Sequence, residues 1–169
     1  MRGTFLNNFP NFCVFHKINN YGQKQPEIIF SLYDKKHSVD IEHWAPLSGD
    51  KANKDPNYKL IYDDMDKDHL NNIGNLLPLN FKQNQQLTSS IPSEKQKILE
   101  SDENINKYKI VTDFLKEHSS EFENWGRENI EARAKKMAEH CYDDVWNVPQ
   151  MIKSIESISI KKDERKTRD

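Results

Sequence analysis

The stretch DIEHWAP, residues 40–46, places a carboxylate directly before a histidine, with a proline three positions on. By itself the pair admits three readings: a solvated strand end, a metal site, or a catalytic pair. A neutral imidazole is the natural general base near pH 7, because its unperturbed pKa is about 6.5. Glu42, with Asp40 as the alternative on the same strand face, and Asn84 offer oxygens to a hard cation. Mg²⁺ or Mn²⁺ suits such a set, taking one or two protein oxygens and completing its shell with water and substrate phosphate. Asn75 falls at a turn and is placed to hold the loop so that the His43 imidazole faces water. The chemistry that uses all of these is phosphodiester hydrolysis with one divalent metal, in which His43 takes the proton from water.

These side chains need elements to position them. HSVDIEHW sets Val39, Ile41 and His43 against Asp40, Glu42 and Trp44, which is a strand pattern. Gly74-Asn75 marks a turn, NLLPL a short strand broken by Pro78, and NFKQNQQL a helix start with Asn80 as N-cap. A hairpin folded against that helix brings the four groups around one point. Between the strands, residues 47–68 form a long polar insertion, and loops of that length are usually functional or mobile.

Elsewhere the periodicity is helical. QPEIIFSLYDKK, 25–36, reads as a short helix, and helical spacing resumes from about Ser93. WGRENIEARAKKMAEHCYDDVW is the clearest helix, with Ile130, Ala134, Met137, Ala138 and Cys141 as its inward stripe and Trp125 and Trp146 as core anchors at its ends. The expected fold is α+β: one hairpin and a helix forming the site, surrounded by helices that supply most of the core. The expected organisation is an N-terminal arm and helix over 1–37 packing on the core, a main domain over 38–150, and a charged tail over 151–169.

Bulk composition narrows the function classes. At 169 residues one domain is expected, and eight Phe, six Tyr and three Trp are too many aromatics for a disordered chain. A net charge of −2 assigns any nucleic-acid binding to a local basic face. Cys13 and Cys141 form no CxxC pair, which excludes a four-cysteine zinc site. With no signal-like segment and no long apolar run, no membrane association and a cytoplasmic location are the expectation.

IEHWAP, NNIGNL and NFKQN together resemble the HNH, or ββα-metal, nuclease motif, with a terminal Asn in place of the last His. The likeness continues into IGNLLPLNFKQNQQLTSSIPSEKQ and the long helix. Over residues 38–147 the chain resembles the nuclease domain at the C-terminus of GmrSD-type, modification-dependent restriction enzymes. The matching positions are Glu42, His43, Pro46, Gly74, Asn75, Leu76, Asn84, Lys95, Trp125, Ile130, Arg133 and Trp146. The resemblance implies His43 as general base, Glu42 and Asn84 as metal-side residues, and Asn75 as the orienting asparagine. It implies a DNA endonuclease acting in defence against foreign or modified DNA, with a homodimer as one route to double-strand cleavage. The N-terminal domain of those enzymes, which senses nucleotide or modified DNA, has no counterpart in this sequence. The expectation is therefore a split enzyme with a separate NTPase or sensor subunit, or an excised piece. The first 37 residues match no pattern.

Alternatives stand beside these readings. Lys95 and Arg133 are the candidates for contacting DNA phosphate, or they pair with neighbouring carboxylates. Cys13 and His16 with His140 and Cys141 are a looser zinc arrangement. A non-catalytic nucleic-acid-binding or partner-docking module with the same fold is the competing function.

Overall fold

The computed structural model describes residues 2–25, 39–101 and 108–154. The helix expected over 25–36, His37 and the charged end of the tail lie outside them. An N-terminal helix α1 (Arg2–Asn20) is followed by strand β1 (Val39–His43), helices α2 (Pro56–Asp63) and α3 (Lys67–Asn71), and strand β2 (Leu76–Asn80). Helices α4 (Phe81–Leu87), α5 (Pro92–Glu100), α6 (Lys109–Glu117) and α7 (Arg127–His140) complete the order. The fold is a two-stranded antiparallel hairpin within a mostly helical shell, in keeping with the α+β expectation. No helix among the described residues is long and apolar enough to cross a membrane.

The hairpin pairs His43 with Leu76 and Val39 with Asn80. Strand β2 runs through Pro78, opposite Ile41, rather than breaking there. With only two strands each has a free edge, so a residue without an N–H is accommodated. Asn80 caps α4 as its sequence suggests, accepting from Gln83 N at 2.9 Å.

The polar insertion after β1 is structured. Asp55 accepts from Asn57 N and Tyr58 N at 2.9 and 3.0 Å, and Pro56 begins α2. Tyr58 is buried and donates its hydroxyl to Trp125 O at 2.8 Å. Asp66 caps α3 in the same way. The cap signals are Asp55 before Pro56 and Asp66, but the density of charge around them hides two short helices in the sequence.

The core is aromatic where it supports the hairpin. Trp44, immediately after His43, is fully buried and packs against Phe114 and Phe122, with Trp125 joined to both phenylalanines. Trp125 is thus the core anchor that its position suggests, whereas Trp146 is 44% exposed and anchors nothing of that kind. From α1, Phe15 enters the core, and Asn19 accepts from Ile110 N at 2.8 Å. On α7 the stripe is shifted from the expected one: Ile130, Arg133 and Cys141 are buried, Ala134 and Met137 are half-buried, and Ala138 is exposed. Helix α7 lies so close to the turn before β2 that a Cβ on Gly74 would sit 2.0 Å from Ile130 O. Only glycine permits that approach.

Candidate active site

Asn75 organises the site from beneath, and its side chain is completely buried. Its Oδ1 accepts from Ala45 N at 2.7 Å and lies 3.4 Å from Trp125 Nε1. Its Nδ2 donates to Ala45 O at 3.0 Å and to Leu70 O at 2.8 Å. Trp44 N donates to Asn75 O at 2.8 Å, so the chain leaving His43 is gripped on both sides. One amide therefore ties together the end of β1, the end of α3 and the start of β2.

Two buried cations brace this turn. Lys95 is fully buried; its Nζ forms an ion pair with Glu42 and donates to His43 O at 2.6 Å. Arg133 is buried as well, donating from Nη1 to Gly74 O at 2.7 Å and to Leu76 O at 2.9 Å, with its guanidinium over the Phe114 ring. Of the two readings open for these residues, Lys95 takes the pairing with a carboxylate, and the Arg133 Nη1 donors go to backbone carbonyls of the turn. Glu42 is bound up in the same arrangement. Burial pushes its carboxyl above the ordinary range and pulls the Lys95 ammonium below its own, and the pairing of the two opposes both effects.

The open side of the site belongs to other groups. His43 is half-buried, and its Nε2 lies 3.2 Å from Asn71 Oδ1. Burial lowers its pKa; the Asn71 hydrogen bond and the Asp40 charge raise it, and Lys95 lowers it further. The resting ring is neutral at neutral pH and able to take a proton. From α4, Asn84 donates Nδ2 to Asp40 Oδ2 at 2.7 Å. Its other amide atom, Oδ1, is buried without a hydrogen-bond partner. A buried amide oxygen left bare costs free energy unless something binds it. By donor type, a carboxylate and an amide oxygen suit a hard divalent cation.

The sequence-predicted residues thus separate into two groups. Asp40 and Asn84 come together, with His43 near enough to feel the Asp40 charge. Glu42 is held by Lys95 instead. Asn71 was not foreseen: it is an exposed asparagine at a helix end, and nothing in its local sequence marks it as touching His43. The looser zinc set is not assembled. Among the described residues no group of three or more His, Cys, Asp and Glu side chains could hold a metal. His140 turns instead to Asp144 at 2.8 Å.

Comparison with known proteins identifies the family. The model of the GmrSD restriction endonucleases, C-terminal domain, matches residues 6–140. No curated protein and no solved structure matches the chain. The family match covers most of the sequence and includes α1, which the motif pattern alone left unmatched. The chain belongs to the GmrSD restriction endonuclease C-terminal domain family.

Proposed function

We propose that this member of the family is a divalent-metal-dependent endonuclease of the HNH type that hydrolyses DNA phosphodiester bonds in restriction of foreign or modified DNA. The observation that carries the reading is the Asp40–Asn84 pair, with its bare amide oxygen, beside a half-buried neutral histidine. Asp40 and Asn84 would hold Mg²⁺ or Mn²⁺. Glu42 serves as the anionic half of a buried ion pair that keeps Lys95, and through it the His43 carbonyl, in place. When bound, the metal supplies charge stabilisation at the phosphate and at the leaving 3′ oxygen. His43 takes the proton from the attacking water, and a positioned base of this kind contributes about 10²–10⁴-fold. Asn75 keeps the strand end from shifting during this transfer. A separate sensing domain or NTPase subunit is the partner this reading calls for, and a homodimer would serve double-strand cleavage.

The test is cleavage of supercoiled plasmid, plain and carrying glucosylated bases, with Mg²⁺ or Mn²⁺ and with EDTA. Nicking that needs the metal and falls by about 10²–10⁴-fold in His43→Ala is the expected result. Cleavage by His43→Ala at the wild-type rate would overturn it and leave the non-catalytic binding module as the reading.

A further inference from the structure

We infer that Asn71 is a positioning residue that holds His43 as its Nε2–H tautomer and so presents the Nδ1 lone pair as the proton acceptor. The inference rests on His43 being the base, as proposed above. Asn71 Nδ2 donates to Lys67 O at 2.8 Å. A carbonyl oxygen accepts only, so the amide cannot be reversed without setting two acceptors against each other. Asn71 Oδ1 is therefore the atom that faces His43 Nε2 at 3.2 Å. Since Oδ1 cannot donate, the ring must. A neutral imidazole has one N–H, so the proton sits on Nε2 and the free pair on Nδ1. No side chain or backbone group of the described residues bonds to Nδ1.

The support for Asn71 is continuous with the rest of the site. Leu70, its neighbour, has its carbonyl held by Asn75 Nδ2 at 2.8 Å. The same amide binds Ala45, two residues beyond His43. Asn75 thus fixes the two backbone segments that carry the imidazole and its partner, and Asn71 makes the contact with the ring. Asn71 itself is exposed at the end of α3, so its side chain can be changed without opening the core.

Three substitutions separate hydrogen-bond chemistry from packing. Asn71→Asp keeps an acceptor, Asn71→Ala removes the partner, and Asn71→Lys offers only a donor. Long-range ¹H–¹⁵N correlation of the neutral imidazole, without DNA or metal, reads the tautomer directly. The expected spectra show His43 as Nε2–H in wild type and Asn71→Asp, mixed in Asn71→Ala, and shifted toward Nδ1–H in Asn71→Lys. The expected order of kcat is wild type and Asn71→Asp first, then Asn71→Ala down by about tenfold. Asn71→Lys comes last, approaching the loss of order 10⁴-fold that a base held in its wrong tautomer suffers. KM changes little between wild type and Asn71→Ala. An Nδ1–H signal in wild type, or full kcat in Asn71→Ala, would overturn the inference. A correct tautomer pattern in a protein that never cleaves DNA would instead sink the nuclease reading and leave the ring assignment standing.

Discussion

Asn75 and Asn84 stand on two sides of one hairpin and are used in opposite ways. At the turn, every polar atom of the Asn75 amide is engaged, and the side chain has no exposure. On α4, the Asn84 amide spends its N–H on Asp40 and leaves its oxygen bare. The first arrangement is that of a clamp, in which satisfied hydrogen bonds fix a backbone. The second, an unmet buried acceptor that costs free energy in the free protein, is what the metal-binding role proposed above requires. Residue type predicts neither role; the partners that the fold supplies decide it.

The largest break in this comparison is Asn75→Ala. Removing the amide strands Ala45 N, Ala45 O and Leu70 O in a dry interior, at about 1–3 kcal/mol for each group left unmet. That sum approaches the margin of about 5–15 kcal/mol that holds a domain together. The expected outcome is a loss of cooperative thermal unfolding or a very large drop in Tm. A Tm close to wild type would show that the clamp is not where the stability of the turn resides.

Lys95→Met comes next. It leaves Glu42 buried without its cation, and breaking one side of a buried pair costs about 3–5 kcal/mol. The double variant Glu42→Leu with Lys95→Met should regain much of that loss, because the uncompensated charge is gone. Urea unfolding of the single and double variants measures the difference. If the double variant is no more stable than the single one, the lysine acts through its bond to His43 O rather than through charge.

These two cations also show where the sequence stops being legible. The hairpin, the cap at Asn80 and the pairing of a strand acid with Asn84 follow from local pattern and motif order. The sequence leaves Lys95 and Arg133 between DNA phosphate and neighbouring carboxylates and does not mark them as buried, because lysine and arginine rarely are. Their partners, Glu42 and the carbonyls of Gly74 and Leu76, lie far away in the chain, where no periodicity points. The contact of Asn71 with His43 was hidden for the same reason. Helices α2 and α3 were hidden differently: their caps are local, but short helices with exposed charged faces carry little apolar period.

At Asn84 the comparison predicts a small effect on stability and a clear one on metal. Asn84→Ala removes a bare buried oxygen along with one hydrogen bond to Asp40, so the two changes nearly offset, within about 1 kcal/mol. Mn²⁺ affinity, read by calorimetry or electron paramagnetic resonance, should fall, and the metal requirement for cleavage should shift to higher concentration. An unchanged Mn²⁺ affinity would mean that the bare oxygen serves no cation.

The smallest expected effect is on pH dependence, and its sign is fixed by burial. Desolvation disfavours the His43 imidazolium and lowers its pKa, with the Asn71 bond and Asp40 opposing and Lys95 assisting. The base is competent only when neutral, so the acid limb of kcat/KM should fall below the ordinary imidazole value of about 6.5. Stability follows the same linkage. In the unfolded chain His43 takes up its proton near 6.5, and in the folded protein only at lower pH. The unfolded state therefore binds more protons across that window, and stability decreases as pH falls through it. Comparing Tm of wild type and His43→Ala from about pH 7.5 to about pH 5.5 isolates this contribution, with wild type losing more. An acid limb at or above the ordinary value would mean that the ring is solvated or held by negative charge. His43 would then belong with the solvated strand ends rather than with buried, neutral bases.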